Sequence, residues 1–422
     1  MTPGDGRSAR THLPLGVIAD DITGALDTGV QFAEAGLETT LLLSTDDSRP
    51  VRAALGQVQV LSTDSRDGDA ATARRRAVRA ADRLRGAWLY KKIDSTMRGH
   101  VGPEIGAVLQ TAGLARAVVC PAVIGQGRTV RDGKLWVGDT LLHQSDFGRD
   151  PVWPARTSDV VALLGVPATH LPLHVVRAGP ESLAGAILGA PTPLVTVDAV
   201  EEADVERTAR AAILAGCLPC GALGLARAWI ECLIAEGYVR ARRTGDRPIP
   251  ARSPAPILIV AGSRHPATSA QVQRAAAARD LVVVGATAMS ADEQVWRWTM
   301  IADALAGKRS VVVRSPLEEM EHADERRALG EAMAGLARRA CREYELGGLV
   351  LTGGETALAV CRALGATAID ILGELEVGIP WGRLCGGVAP GTYVVTKAGG
   401  FGRPDSLVRI VDALYDRQDS QD

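Results

Sequence analysis

Short runs of consecutive apolar residues alternate along this chain with longer segments whose apolar positions recur every three or four residues. That alternation is the sequence mark of strands followed by helices. Leu15–Ala19 is such a run, Leu26, Val30 and Ala33 share one helical face between Gly24 and Ala35, and Thr39–Leu43 reads as strand again. Strands joined through a helix lie parallel, so this is a βαβ unit. The pattern continues with strands expected at 57–61, 87–90 and 117–120 and helices at 69–85 and 102–112. Between 139 and 246 the period is lost in Pro- and Trp-bearing stretches, where helices are expected only near 201–214 and 222–237.

The segment RTGDRPIPARSPAP (243–256) is basic, proline-rich and without period, as a linker should be. After it the alternation restarts, with strands at 257–262, 281–285, 310–314, 349–353 and 392–396, a helix at 267–279 and helices between most of the other strands. The expectation is an α/β protein of two domains, 1–245 and 246–422, each a mainly parallel sheet flanked by helices. No internal sequence repeat relates the two halves.

Composition narrows the function classes. A net charge of −2 and an aromatic content of 4% give no field or stacking surface for nucleic acid, and no apolar run is long enough to span a bilayer. The start, MTPGDGRSARTHLP, lacks the apolar middle of a secretory signal and reads as a polar leader. Seven scattered cysteines point to reduced thiols in a cytoplasmic protein. Cys217 and Cys220 form a CxxC with no second pair, which reads as a buried structural pair, and the histidines show no metal-ligand spacing.

In a parallel sheet, ligands gather at the carboxyl ends of the strands. The first strand ends in Asp20-Asp21, the next in Thr63-Asp64-Ser65-Arg66, and the third in KKIDSTMRG (91–99), whose polar density marks a loop or its exit. Asp20, Asp21 or Thr23 could cap the following helix. Arg66, Lys92 and Arg98 suit an anionic substrate, since a guanidinium grips a carboxylate with paired hydrogen bonds, and the neighbouring carboxylates suit a hydroxylated one. A hydroxy acid meets both demands. In the second domain, LVLTG runs into Gly353-Gly354-Glu355-Thr356 at a helix start, and TYVVT runs into Lys397-Ala398-Gly399-Gly400-Phe401-Gly402. Free helical N–H groups and a glycine-permitted nest of amides expect phosphate there, with Ser263 at a third strand end. GGVAPGTY (386–393) lacks the Lys-Ser/Thr of a P-loop, and no GxGxxG follows the first strand.

Taken together, ADDITGALDTG, KKIDSTMRGHVGPEI, GRTVRDG, TGGETA and TKAGGFG resemble the four-carbon acid sugar kinase family, in order, from about Val17 to the C-terminal helix. The resemblance implies ATP-dependent phosphorylation of the terminal hydroxyl of threonate, erythronate or 3-oxo-tetronate. It implies substrate contacts from Asp20 or Asp21, Arg66 and the stretch Lys92, Ile93, Asp94 and Ser95, with Arg98 and Arg128 as further candidates. It implies ATP contacts from Ser263, Gly353, Gly354, Glu355, Thr356 and the glycines Gly399, Gly400 and Gly402. The family usually carries a Phe-Pro-like pair after the proline ending the fifth strand. Here the run is Pro121-Ala122-Val123-Ile124-Gly125-Gln126-Gly127-Arg128, so the pocket beside Arg128 departs from the pattern.

The expected mechanism is in-line transfer in a cleft between the domains. Asp21, or secondarily Asp20, is expected as the base, Arg66 and Lys92 as holders of the substrate carboxylate, Lys397 with Mg²⁺ as neutraliser of phosphate charge, and Glu355 as orienter of the metal or its waters. Two other classes stand beside it: a nucleotide-gated sugar-acid sensor, and a hydroxy-acid dehydrogenase whose dinucleotide fingerprint is missing. The sequence leaves the oligomeric state open, a homodimer included.

Overall fold

The computed structural model describes residues 14–43, 56–150, 152–241, 251–286, 291–316 and 323–415. Residues 1–13 of the expected leader and 243–250 of the expected linker lie outside the described residues. The chain divides into two compact units, Met1–Asp246 and Arg247–Asp422.

The first unit runs β1 (Leu15–Ala19), α1 (Ile22–Glu34), β2 (Glu38–Leu42), β3 (Gln57–Ser62), α2 (Ala70–Arg83), β4 (Trp88–Lys92), α3 (Val101–Ala112) and β5 (Ala117–Cys120). A small antiparallel sheet follows, β6 (Arg128–Arg131), β7 (Lys134–Val137) and β8 (Thr140–Leu141). Then come α4 (Val160–Leu164), β9 (Ala168–Leu171), α5 (Leu173–Val176), α6 (Pro180–Leu188), β10 (Leu194–Val197), α7 (Glu202–Ala215), β11 (Leu218–Gly221) and α8 (Leu223–Ala235). The main sheet has the order β2-β3-β1-β4-β11-β5-β10-β9, with its pairings parallel. Every residue of β1 is buried, as a strand covered by helices on both faces requires.

Local chemistry sets the element ends. Asp21 is the N-cap of α1, its Oδ1 accepting the Gly24 N–H at 2.9 Å, so of the three capping candidates the chain uses this one. Asp69 caps α2 in the same way, accepting from Thr72 N at 2.8 Å, and the helix buries a stripe of Ala73, Ala77, Ala80 and Ala81. Phe32, Tyr90 and Trp229 tie α1, β4 and α8 together, with ring centroids 5.7–6.5 Å apart.

The second unit runs β12 (Ile257–Ala261), α9 (Pro266–Ala278), β13 (Leu281–Gly285), α10 (Ala291–Ala306), β14 (Ser310–Arg314), α11 (Ala323–Glu343), β15 (Gly348–Thr352), α12 (Gly354–Leu364), β16 (Ala368–Glu376), β17 (Ile379–Cys385), β18 (Tyr393–Lys397) and α13 (Ser406–Leu414). Its sheet order is β13-β14-β12-β15-β18-β17-β16, parallel as far as β18 and antiparallel beyond it. The two units thus repeat one winding: the second strand lies two places from the first, the third fills the gap, and the fourth crosses to the other side. Shared topology coexists with the lack of a detectable sequence repeat. In each unit the strand order reverses beside the first strand, at β1/β4 and at β12/β15, where such sheets open a crevice.

One expected strand end moves, and two sheet elements join those expected. Lys91 and Lys92 belong to β4 and are buried, so that strand runs two residues further than its polar residues suggest. The stretch after β5 holds the β6–β8 sheet, whose β6–β7 turn at Asp132-Gly133 has positive φ at both residues, 49° and 71°. The stretch between α12 and β18 is the hairpin β16–β17, turning at Gly378. Among the described residues, no helix is long and apolar enough to cross a membrane.

Candidate active site

Register fixes the rim of the first unit. Ala19 pairs with Ser62 and Ile18 with Lys91, so Asp20, Thr63 and Ile93 emerge at one height beside the reversal point. Arg66 folds back over this rim. Its Nε and Nη2 donate to the two oxygens of Asp20 at 2.7 and 2.9 Å, and its Nη1 and Nη2 donate to the two oxygens of Asp21 at 2.8 Å each. Four of its five N–H bonds are therefore spent on two carboxylates.

Burial disfavours charge on Asp20, but the charge and hydrogen bonds of Arg66, with Lys91 and Lys92 behind, hold its pKa below the ordinary carboxylate range. Burial dominates at Asp21, and with the neighbouring Asp20 charge it raises that pKa despite Arg66. The loop after β4 supplies a second pair. Asp94 opposes its own burial by accepting from Arg98 Nε and Nη2 at 3.0 and 2.9 Å, with Arg66 adding charge, so it stays ionised far below the usual range. Asp94 also accepts from the Thr96 amide at 3.0 Å, and Arg98 reaches Asp150 at 3.5 Å. Asp64 and Met97 take positive φ, 48° and 62°, in the two loops that carry these groups. Conformations so rarely adopted by side-chain-bearing residues mark where the fold holds the backbone against its preference.

Behind the rim, Lys91 Nζ meets Glu104 at 2.8 Å, both side chains 1% exposed, and Ser65 Oγ donates to the same carboxylate. This chain steadies the loop that presents Arg66. Lys92 is 5% exposed and donates one N–H to Ile93 O at 2.9 Å. A Cβ on Gly24 would stand 3.1 Å from Lys92 Nζ, so the ammonium lies over the first turn of α1. The Ile93 side chain faces the hydrophobic core and only its backbone borders the site. Ser95 is half-buried beside Asp94. Arg128 is half-buried, hydrogen-bonded to Gln126 and set 5.6 Å from the Phe147 ring centroid, and burial lowers its pKa although the charges of Asp94 and Asp27 favour protonation. Its Nε is buried without a hydrogen-bond partner.

In the second unit Ala261, Thr352 and Lys397 are level, so Gly262, Gly353 and Ala398 form the rim. A Cβ on Gly262 would come within 1.9 Å of Thr356 Oγ1, and one on Gly399 within 2.0 Å of Ser263 Oγ. Two hydroxyls and three strand ends therefore close on each other only because those positions carry no side chain. Gly353, at φ 94°, starts α12 without a side-chain cap on its first amides, and Gly354 and the exposed Glu355 follow. Gly400 packs on His265, and Gly402, at φ 86°, lies against Ser406.

Lys397 is turned onto its own loop. Its ammonium donates to the carbonyls of Ala398, Gly399 and Phe401 at 2.9, 3.1 and 3.0 Å, which uses all three N–H bonds on its own loop. Burial pulls its pKa down to about 8. Thr268 and Gln271 of α9 hold the same loop from outside, through Gly399 O, Phe401 O and Arg403 O. Neither α9 residue, nor Asp27, nor Glu104 stood out in the sequence. Asp27 was the most accessible of them, lying inside the ADDITGALDTG stretch one helical turn after Gly24. Cys217 and Cys220 are free and buried, and burial pushes the Cys217 thiol up to about 12.

One α/β unit thus gathers carboxylates and guanidinium groups at the carboxyl ends of its strands, and the other gathers glycines, two hydroxyls and an uncapped helix start at the ends of its own. Residues 15–229 match the sugar-binding N-terminal domain model and residues 258–407 the nucleotide-binding C-terminal domain model. The chain is 36% identical to the D-threonate kinase of Bordetella bronchiseptica, covering 96% of this chain and 98% of that one, and 34% identical to the D-threonate kinase of Salmonella typhimurium, covering 94% and 97%. A solved structure from Salmonella typhimurium LT2 shares the fold, with a TM-score of 0.77 at 22% identity over 94% of this chain and 98% of that one. The protein belongs to the four-carbon acid sugar kinase family. The dehydrogenase and sensor readings lose their support with that assignment.

Proposed function

We propose that this protein transfers the γ-phosphoryl group of ATP to the terminal hydroxyl of D-threonate. The observation that supports this choice of acid is the pair of D-threonate kinases matched across almost their whole length. The first unit binds the acid: Arg128, with its unused Nε, meets the substrate carboxylate, and Lys92, whose one described hydrogen bond is to Ile93 O, lies toward the hydroxyl end. Arg66 holds Asp20 and Asp21 as a rigid polar wall. The second unit binds ATP at the Gly262, Gly353 and Gly399 rim, where the Ser263 and Thr356 hydroxyls and the open amides of α12 face the phosphates.

Lys397 shapes that loop from within. Glu355, exposed in the first turn of α12 with no described hydrogen bond, fits the single carboxylate that Mg²⁺ commonly takes from protein alongside phosphate oxygens. Bound Mg²⁺ supplies neutralisation of phosphate charge. In-line transfer requires the two bound substrates to be brought together, and positioning then carries most of the rate. The free thiols suit a cytoplasmic enzyme, and a homodimer is compatible with the reading.

The test is ATP consumption with Mg²⁺ against D-threonate, L-threonate, D-erythronate and 3-oxo-tetronate. D-threonate is expected to give the highest kcat/KM, and Arg128→Gln to raise KM for the acid by about tenfold, the scale of one lost charge-assisted contact, with KM for ATP unchanged. A preference for another acid would move the substrate assignment.

A further inference from the structure

The carboxylates closest to the rim are occupied. Arg66 covers both oxygens of Asp20 and both of Asp21, Gly24 N–H adds to Asp21, and Arg98 covers both oxygens of Asp94. A carboxylate whose lone pairs are committed to guanidinium must break a charge-assisted bond to take a proton, which holds for Asp20 and Asp94 and hinders Asp21 even though burial raises its pKa. Asp27 differs: it is half-buried on α1, and no hydrogen bond or ion pair to its carboxylate is described. It sits three residues after Gly24, on the helical face over which Lys92 Nζ lies. The charged groups around it are Lys92 at the end of β4, Asp21 at the head of α1, Arg128 on β6 and Asp94 in the loop after β4.

We propose that Asp27 is the catalytic base of this reaction: its carboxylate takes the proton of the substrate hydroxyl as that oxygen bonds to the γ-phosphorus and the bond from that phosphorus to the ADP oxygen breaks. The inference rests on the sugar-acid kinase reading and moves the base from Asp21, which becomes a positioning residue held by Arg66. Burial raises the Asp27 pKa to about 6 against the pull of Lys92, with Asp21 adding to the rise. A base of that strength is ionised at neutral pH and still accepts a proton better than an ordinary carboxylate. Lys92 beside it stabilises the oxygen as it loses its proton.

The experiment is kcat and kcat/KM of the full-length protein, Asp27→Asn and Asp27→Glu, with Mg·ATP and the preferred acid between pH 5 and 9. The wild type is expected to show kcat/KM rising through about pH 6 to a plateau, an ionisation of the free enzyme. Asp27→Asn is expected to lose about 10²- to 10⁴-fold in kcat and the acid limb with it, while KM for ATP stays within about twofold. Asp27→Glu is expected to keep the limb at reduced kcat. An Asp27→Asn enzyme with more than about a tenth of wild-type kcat and an intact limb would overturn the assignment, and so would a wild-type profile flat across this range, with no variant needed. A wild type that phosphorylates none of the four acids would instead overturn the kinase reading itself.

Discussion

Arg66 grips Asp20 with Nε and Nη2 at 2.7 and 2.9 Å and turns the remainder of the same guanidinium onto Asp21. No other side chain can span four oxygens in one plane. Arg66→Ala leaves the buried Asp20 beside the half-buried Asp21 with no guanidinium between them, and removal of one partner from a buried pair costs about 3–5 kcal/mol. A large fall in the urea midpoint is expected. Arg66→Lys keeps the charge but not the forks, so it is expected to recover part of the stability and little of the activity. Equal midpoints for Arg66→Ala and wild type would remove Arg66 from its structural role.

Acid stability carries two opposite signatures. Asp20 and Asp94 have folded pKa values below that of an unfolded Asp, so their contribution is complete above about pH 4 and is lost as pH falls through the folded values. Asp27 is raised to about 6, so it binds its proton more tightly when folded and adds stability as pH falls from about 6 toward 4. Urea midpoints across pH 3–7 are expected to rise modestly from pH 7 to 5 and then drop steeply below 4. Asp27→Asn should reduce the first segment to the part that the raised Asp21 contributes, and leave the second.

Lys91 and Glu104 are both 1% exposed and 2.8 Å apart, and Ser65 leans on the same carboxylate. Glu104→Ala strands the Lys91 charge in the core and is expected to cost about 3–5 kcal/mol. Lys91→Met with Glu104→Leu is expected to recover most of that stability, since an apolar pair of similar volume avoids the desolvation cost. Activity should stay low in the double variant, because the Ser65–Arg66 loop loses its anchor. Chemical denaturation together with turnover separates the two effects.

This buried pair also explains one place where the strand pattern was misleading. Two consecutive lysines look like a loop until a glutamate on a helix ten residues later is known to face one of them, and period alone carries no such pairing. The ends of the first two rim strands were legible because Asp20 and the Thr63–Arg66 stretch each follow a run that reads as a strand. The β6–β7 hairpin had a readable signal in Asp132-Gly133, an Asp-Gly pair flanked by strand formers. The β16–β17 hairpin had a weaker one, because Gly373, Gly378 and Gly382 dilute its alternation, and Gly382 is needed where a Cβ would strike Asp370 O at 2.2 Å. The bonds of Lys397 to three carbonyls of its own loop were not legible, because a lysine after a strand and before glycines suggests a phosphate contact equally well from sequence.

The nest of the second unit offers a stringent test. Gly399→Ala would place a methyl group 2.0 Å from Ser263 Oγ, and Lys397→Met would remove three hydrogen bonds from the loop. Both are expected to weaken binding of a non-hydrolysable ATP analogue by about tenfold or more, on the scale of one or two lost hydrogen bonds, while D-threonate binding is unchanged. Calorimetry with each ligand separately reads this out. Equal losses for both ligands would point to general destabilisation.

In the proposed reaction one phosphoryl group passes from ATP to the terminal oxygen of a four-carbon acid. Incubating the wild-type protein with Mg·ATP and D-threonate and locating the phosphorus in the product by ³¹P–¹H correlated NMR tests it most directly. Coupling of the phosphorus to the two protons of the terminal carbon, with one ADP formed per acid consumed, is the predicted result. ADP and inorganic phosphate with no phosphorylated acid, for D-threonate and for every other acid of the panel, would contradict it.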